Sequence, residues 1–236
     1  MGGKLDEIGI AEARSALAWW LEAGVDAAVQ EDARDWLRPV PPPARPAAVE
    51  LANVAEPDAE TLADLQSWLA SSASLPLAAV ATRRILSHGP ENAAVMLISD
   101  RPTLQDATAG QPIGGDAWTL TQRMLAAIGI SADDAYSASL AGFHAPGARM
   151  SDQESEACAE IARRHVRLVQ PARLLLFGDG PSLALLGKRV LEARGHAHKV
   201  EGIRTVATFH PRELINRPSN KSLAWKDLLL LMEENG

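Results

Sequence analysis

Ala94-Val95-Met96-Leu97-Ile98-Ser99-Asp100-Arg101-Pro102 is a five-residue apolar run that ends in a polar turn. Continuous rather than alternating hydrophobicity over so short a stretch fits a strand buried on both faces, as in a parallel sheet. Similar strands are expected at residues 135–140, at Arg173-Leu174-Leu175-Leu176-Phe177 and at Arg204-Thr205-Val206-Ala207-Thr208. Helical periodicity separates them at residues 59–71 (with Asp58 as cap), 116–128 (stopping at Gly129), 152–169, 181–194 and 222–233. Ser151 with Glu154 three residues later is a capping-box signature for the helix at 152–169. Strands alternating with helices predict an α/β fold whose parallel sheet is covered on both faces. Sites in such folds form beyond the carboxyl ends of the strands. Asp100 and His210 both occupy that kind of position.

Upstream, residues 11–37 read as helical, and Trp19-Trp20 is expected to pack that unit against the main body. Pro39-Val40-Pro41-Pro42-Pro43-Ala44-Arg45-Pro46 holds five prolines in eight positions, which cannot continue a helix. The expected organisation is an N-terminal helical extension at 1–38, a proline-rich linker at 39–57 and a main domain at 58–236.

The 236 residues are 47% hydrophobic, enough for one full core with an appendage. No apolar run approaches the roughly 18–20 residues that span a bilayer, so no membrane association is expected. Met1-Gly2-Gly3-Lys4 begins nothing like a secretory signal. Cys158 stands alone and fits a reducing compartment, so a cytoplasmic location is expected. The net charge of −7 is unevenly spread: residues 188–226 hold 9 basic and 3 acidic residues, a net of +6 around His210. A phosphate-binding face and an ordinary solvated face both fit that bias. The acidic N-terminal half points to a possible protein partner.

A carboxylate and an imidazole at one sheet edge suit cleavage of a bond that breaks to a cation and an anion. The carboxylate stabilises the cation, and the imidazole donates to the anion. The plainer alternatives are that Asp100 caps its turn, that His210 is a turn residue, and that Leu214 packs in the core.

Three stretches resemble the uracil-DNA glycosylase superfamily, closest to its family 4 branch. Val95 to Thr103 resembles a strand followed by Gly-Glu-Ala-Pro-Gly; Gly110-Gln111-Pro112-Ile113-Gly114-Gly115 resembles Gly-x-Pro-Phe-Val-Gly; and His210-Pro211-Arg212-Glu213-Leu214 resembles His-Pro-Ser-Ala-Leu. The resemblance covers roughly residues 59–233. It implies a three-layer α/β/α sandwich around a four-stranded parallel sheet, with N-terminal helices resembling extensions on some bacterial members. It also implies hydrolysis of the N-glycosidic bond of uracil or another damaged base during DNA repair, with single- or double-stranded DNA as partner.

In that resemblance Asp100 takes the place of the catalytic Glu, and His210 that of the His that hydrogen-bonds the departing base. Ile113 takes the place of a stacking Phe, Ser139 that of an Asn that reads the uracil edge, and Trp118 that of a small Gly; these are the base-pocket candidates. Leu214 is the candidate wedge for a flipped nucleotide. Arg101, Arg212, Arg217 and Lys221 are candidate phosphate contacts, Arg101 being equally able to pair with Asp100. Family 4 holds a four-iron cluster through four cysteines, but here Leu75 and Phe143 fall at two of those positions and only Cys158 remains. One thiolate cannot hold it, so neither cofactor nor metal is expected. The alternative function is a catalytically inactive member of the fold serving as a DNA- or protein-binding module, favoured by the changes at Arg101, Thr103, Ile113, Trp118 and Ser139.

Overall fold

The computed structural model describes residues 59–78, 81 and 83–233, together with helical positions 14, 15, 18–20 and 22. The chain divides into two units, residues 1–49 and 50–236. In the first, Trp19 and Trp20 are exposed. The boundaries expected at residues 38 and 57, the proline-rich linker and the cap Asp58 lie outside the described residues.

The second unit runs α1 (Leu62–Ser71), β1 (Arg83–Arg84), β2 (Val95–Ser99), α2 (Leu104–Ala109), α3 (Gly115–Ala127), β3 (Ala135–Ser139), β4 (Phe143–His144) and α4 (Asp152–Val169). It continues with β5 (Leu174–Phe177), α5 (Asp179–Leu186), α6 (Val190–Ala193), β6 (His198–Val200), β7 (Ile203–Thr208), α7 (Pro211–Asn216) and α8 (Lys221–Met232). The main sheet has the order β3-β2-β5-β7-β6. The four expected parallel strands are present, and β6 adds a fifth, antiparallel edge strand. Its link to β7 turns through Glu201 and Gly202 at φ 50° and 80°, the left-handed pair that a tight hairpin requires.

Every residue of β2 is buried, and the strand's period of two divides its side chains between two cores. Met96 and Ile98 meet Val166 and Val169 of α4 and Leu62 of α1. Val95 and Leu97 meet Ala117 and Leu125 of α3 and Leu228 and Leu231 of α8. Helices therefore cover both faces, which makes the three layers. The Ser151–Glu154 capping box starts α4 as its sequence signals. The helix expected over 181–194 is instead two, because α5 stops at Gly187 in a left-handed conformation (φ 68°).

Pairing of β2 with β5 and of β5 with β7 brings the ends of β2 and β7 to the same edge of the sheet. Ser99 Oγ donates to the Pro112 carbonyl at 3.1 Å and ties the end of β2 to the following loop. A short antiparallel pair, Arg84↔Phe143 and Arg83↔His144, sets His144 beside the same edge.

Candidate active site

Asp100 and His210 line one open cleft of about 1410 Å³ at that edge, with Phe177 and Gly178 from the end of β5 between them in the strand order. The volume exceeds what a small ligand fills and suits a segment of a larger substrate.

Asp100 is half-buried, and its carboxylate has no hydrogen bond or ion pair to any of the described residues. Its position is set by the first turn of α5. A Cβ at Gly180 would lie 2.5 Å from Asp100 Cγ and Oδ1, so only glycine lets this helix approach so closely. Arg101 does not pair with Asp100. Its guanidinium donates to the Ala148 carbonyl at 2.6 Å instead.

His210 is the N-cap of α7, with Pro211 at the first helical position. Its Nδ1 accepts from the Arg212 backbone N–H at 3.1 Å. A neutral imidazole accepts at one nitrogen only, so the tautomer that makes this bond carries its hydrogen on Nε2, and the one that accepts from Arg212 Nη2 carries it on Nδ1. Burial, with the Arg212 guanidinium beside the ring, pulls the His210 pKa down to about 3. The ring is therefore neutral near pH 7. Its wall is the Phe177 ring, 5.9 Å away and tilted by 58°.

Arg212 has a different setting from the one expected for a phosphate contact. Its Nη2 lies 2.8 Å from Asp106 Oδ2 and 3.1 Å from His210 Nε2. Asp106 is fully buried and also accepts from Thr103 N at 2.7 Å, Thr103 Oγ1 at 2.8 Å and Gly114 N at 2.6 Å. The Arg212 side chain is 27% exposed, and an arginine held by a buried, fully bonded carboxylate is not available for a distant phosphate. Arg217 lines the cleft with a 73% exposed side chain, 3.7 Å from Glu213. Lys221 is exposed at the start of α8, outside the cleft lining.

Three base-pocket positions fall elsewhere. Ile113 is fully buried in the core between the sheet, α3 and α8. Trp118 packs on that same core and meets His88 edge-on at 6.5 Å, so it does not fill the cleft. Ser139 lines a separate, small, mainly apolar cavity of about 50 Å³, and its buried Oγ has no partner. Leu214, the candidate wedge, is 1% exposed and packs in the core.

Leu75, Phe143 and Cys158 do converge, in one apolar cluster beside that small cavity. Leu75 and Phe143 carry no ligating atom, so a single thiol, Cys158, stands where a cluster needs four. These residues do not fit the family 4 iron–sulfur cluster. Among the described residues, no group of three or more His, Cys, Asp and Glu side chains is arranged to hold a metal ion. No helix among them is long and apolar enough to cross a membrane.

Two residues of the site escape a sequence reading centred on Asp100 and His210. Asp106 carries a usable signal, since Thr103-x-x-Asp106 has capping-box spacing and the box is present. Gly180 carries none, because its role depends on the crossing of α5 over β2. His144 is half-buried in the cleft wall with Nδ1 3.0 Å from the Pro102 carbonyl.

Comparison with known proteins gives this geometry a context. The Uracil DNA glycosylase superfamily model matches residues 86–229. The chain is 24% identical over 170 residues to a type-4 uracil-DNA glycosylase of Archaeoglobus fulgidus, covering 67% of this chain and 85% of that protein. It is 22% identical over 166 residues to one of Pyrobaculum aerophilum, covering 66% and 85%. The chain belongs to the Uracil DNA glycosylase superfamily.

Proposed function

We propose that this superfamily member is a DNA N-glycosylase that hydrolyses the bond between deoxyribose and uracil or a related carbonyl-bearing base. The observation that carries the reading is the pairing, in one open cleft, of a carboxylate that no described residue holds with a neutral imidazole. The C1′–N bond breaks with its electron pair going to the base, which leaves as an anion. His210 Nε2–H donates to that anion. Asp100 stabilises the developing charge at C1′ and orients a water, whose oxygen bonds to C1′ and whose proton passes to Asp100. The absence of an Asp100–Arg101 pair and the placement of Trp118 in the core leave this chemistry unobstructed.

DNA as the substrate draws support from the superfamily and from the uracil-DNA glycosylase identity of the two archaeal relatives. Arg217 and Lys221 are the phosphate contacts in this reading, both being exposed cations on the α7–α8 side of the cleft. A strand-nicking assay on oligonucleotides bearing uracil, hypoxanthine or xanthine, single- and double-stranded, tests it. Alkali-labile cleavage by the wild type, lost in Asp100→Asn and His210→Ala, is the expected result. No cleavage of any substrate at enzyme excess would turn the assignment toward a non-catalytic DNA- or protein-binding module.

A further inference from the structure

The connection from β5 to β6 carries an arrangement that the chemistry of Asp100 and His210 does not use. α5 stops at Gly187, and the chain turns through Lys188 and Arg189 into the single turn of α6. Val190 and Ala193 are buried in the core, which fixes that turn and leaves Leu191 projecting, 74% exposed. Asp179 holds the turn as well, its Oδ1 accepting from Val190 N at 2.8 Å. Leu191 lines the same cleft as Asp100 and His210. Two exposed cations precede it. One is Lys188, and the other is Arg189, whose side chain reaches Asp179 only at 4.0 Å. Leu104, also strongly exposed in the cleft lining, lacks that flank: Arg101 is bonded to the Ala148 carbonyl, and Gln105 is neutral.

A leucine held in water on a fixed turn gains nothing until an apolar surface covers it. Neighbouring cations specify what borders that surface, namely anions. Stacked bases between two phosphate backbones are such a surface.

We infer that the Lys188–Leu191 tip enters the base stack of duplex DNA beside the target nucleotide, with Leu191 filling the space the extruded base leaves and Lys188 and Arg189 meeting the adjoining phosphates. This rests on the glycosylase reading and deepens it, because it makes the substrate a duplex and places a DNA contact on a connection separate from the one that carries His210. A base in a duplex must unpair and unstack before the cleft can take it, whereas a base in a single strand is largely free of both constraints. Leu191 therefore speeds the reaction on a duplex and leaves the single-strand reaction nearly untouched.

The test uses the full chain in two arms. The first measures single-turnover release of uracil from one oligonucleotide, alone and annealed to its complement, by wild type, Leu191→Ala, Leu191→Met and Leu104→Ala. Leu191→Ala is expected to lose about tenfold or more on the duplex and less than about twofold on the single strand, since an apolar side chain of this size is worth at least one factor of ten when buried. Leu191→Met recovers most of the rate, and Leu104→Ala shows no duplex-specific loss. The second arm needs no chemistry. It measures binding to a duplex with a stable abasic analogue against the same duplex intact. Wild type is expected to prefer the abasic duplex, and Leu191→Ala to lose that preference. Replacing Lys188 and Arg189 together by alanine is expected to lower the slope of log affinity against log salt by about 2. Thermal melts establish that every variant is folded.

Wild-type cleavage of the single strand alone, or a Leu191→Ala loss that is absent or equal on both substrates, overturns the inserting tip and leaves the glycosylase reading standing. A duplex-specific loss in Leu104→Ala in place of Leu191→Ala does the same. An unchanged salt slope overturns the phosphate contacts of the tip. A Leu191-dependent preference for the abasic duplex without cleavage of any strand supports the tip and overturns the glycosylase reading. Neither cleavage nor that preference overturns both.

Discussion

Gly180→Ala displaces the Asp100 carboxylate without removing it. The added methyl would lie 2.5 Å from Asp100 Cγ and Oδ1 and 3.0 Å from Oδ2, where ordinary contact begins at 3.4 Å. Gly180 is the second residue of α5, and the opposing carboxylate is the end of a short side chain, so Asp100 yields before the helix does. The required movement is about 1 Å, a misplacement that costs on the order of 100-fold in rate when the displaced group acts on the reacting atoms. The helix itself does not suffer, since alanine is favoured over glycine in helices by about 1 kcal/mol. Single-turnover base release, read beside a thermal melt, should show a slow enzyme of undiminished stability. In an Asp100→Asn background Gly180→Ala should slow the reaction little further, because both changes act through one carboxylate. A Gly180→Ala enzyme with wild-type rate, or one that adds a full loss to Asp100→Asn, would refute the placement of Asp100 as the working carboxylate.

Leu214→Ala is expected to destabilise the fold by about 2–5 kcal/mol, as for a core leucine, whereas Leu191→Ala, at a side chain 74% exposed on the cleft rim, should change stability by no more than about 0.5 kcal/mol; chemical denaturation measures both. Asp227 is buried and accepts from Arg194 at 3.1 and 3.0 Å and from Thr208 Oγ1 at 2.8 Å, so Asp227→Ala, which strands the part-buried Arg194 guanidinium and the buried Thr208 hydroxyl, should cost about 3 kcal/mol by the same assay. His165, buried against the Tyr136 hydroxyl at 2.7 Å, has its pKa lowered by burial to about 4, and that of His210 is lowered to about 3. The unfolded chain then takes up protons below about pH 6.5 that the folded chain refuses, so stability is full above that pH and falls as pH drops toward 4, by about 3 kcal/mol from His165 alone and further in the same direction from His210. Denaturation midpoints that stay constant between pH 7 and 4.5 would contradict this. For the same reason the wild-type rate of base release should show no inflection near pH 6.5 from His210.

The sheet was legible because strand burial on two faces writes itself as continuous apolar runs, and β2 and β5 are such runs. The α4 start was legible because a capping box is local chemistry. The edge strand β6 was not, since three residues, two of them polar, show no usable period, and only Glu201-Gly202 marks the hairpin. The parallel sheet's rule for sites carried Asp100 and His210 to one cleft. It did not carry Ile113, Trp118 or Leu214, whose apolar character is equally at home in a pocket or a core. Which of the two each occupies depends on how its loop or helix is rotated against the sheet. Arg212 illustrates the same limit for charge: its sequence neighbours His210 and Glu213 are visible, while the buried carboxylate that holds it lies 106 positions upstream.

The central claim is that Asp100 and His210 act together on a glycosidic bond. Mass spectrometry of a uracil-bearing oligonucleotide incubated with the full chain tests it most directly, by asking whether the strand loses the mass of the base and gains that of a hydroxyl. The account predicts an abasic strand and free uracil with the wild type, and intact oligonucleotide with Asp100→Asn and with His210→Ala. An intact oligonucleotide with the wild type, or an abasic product that persists undiminished in both variants, would contradict it.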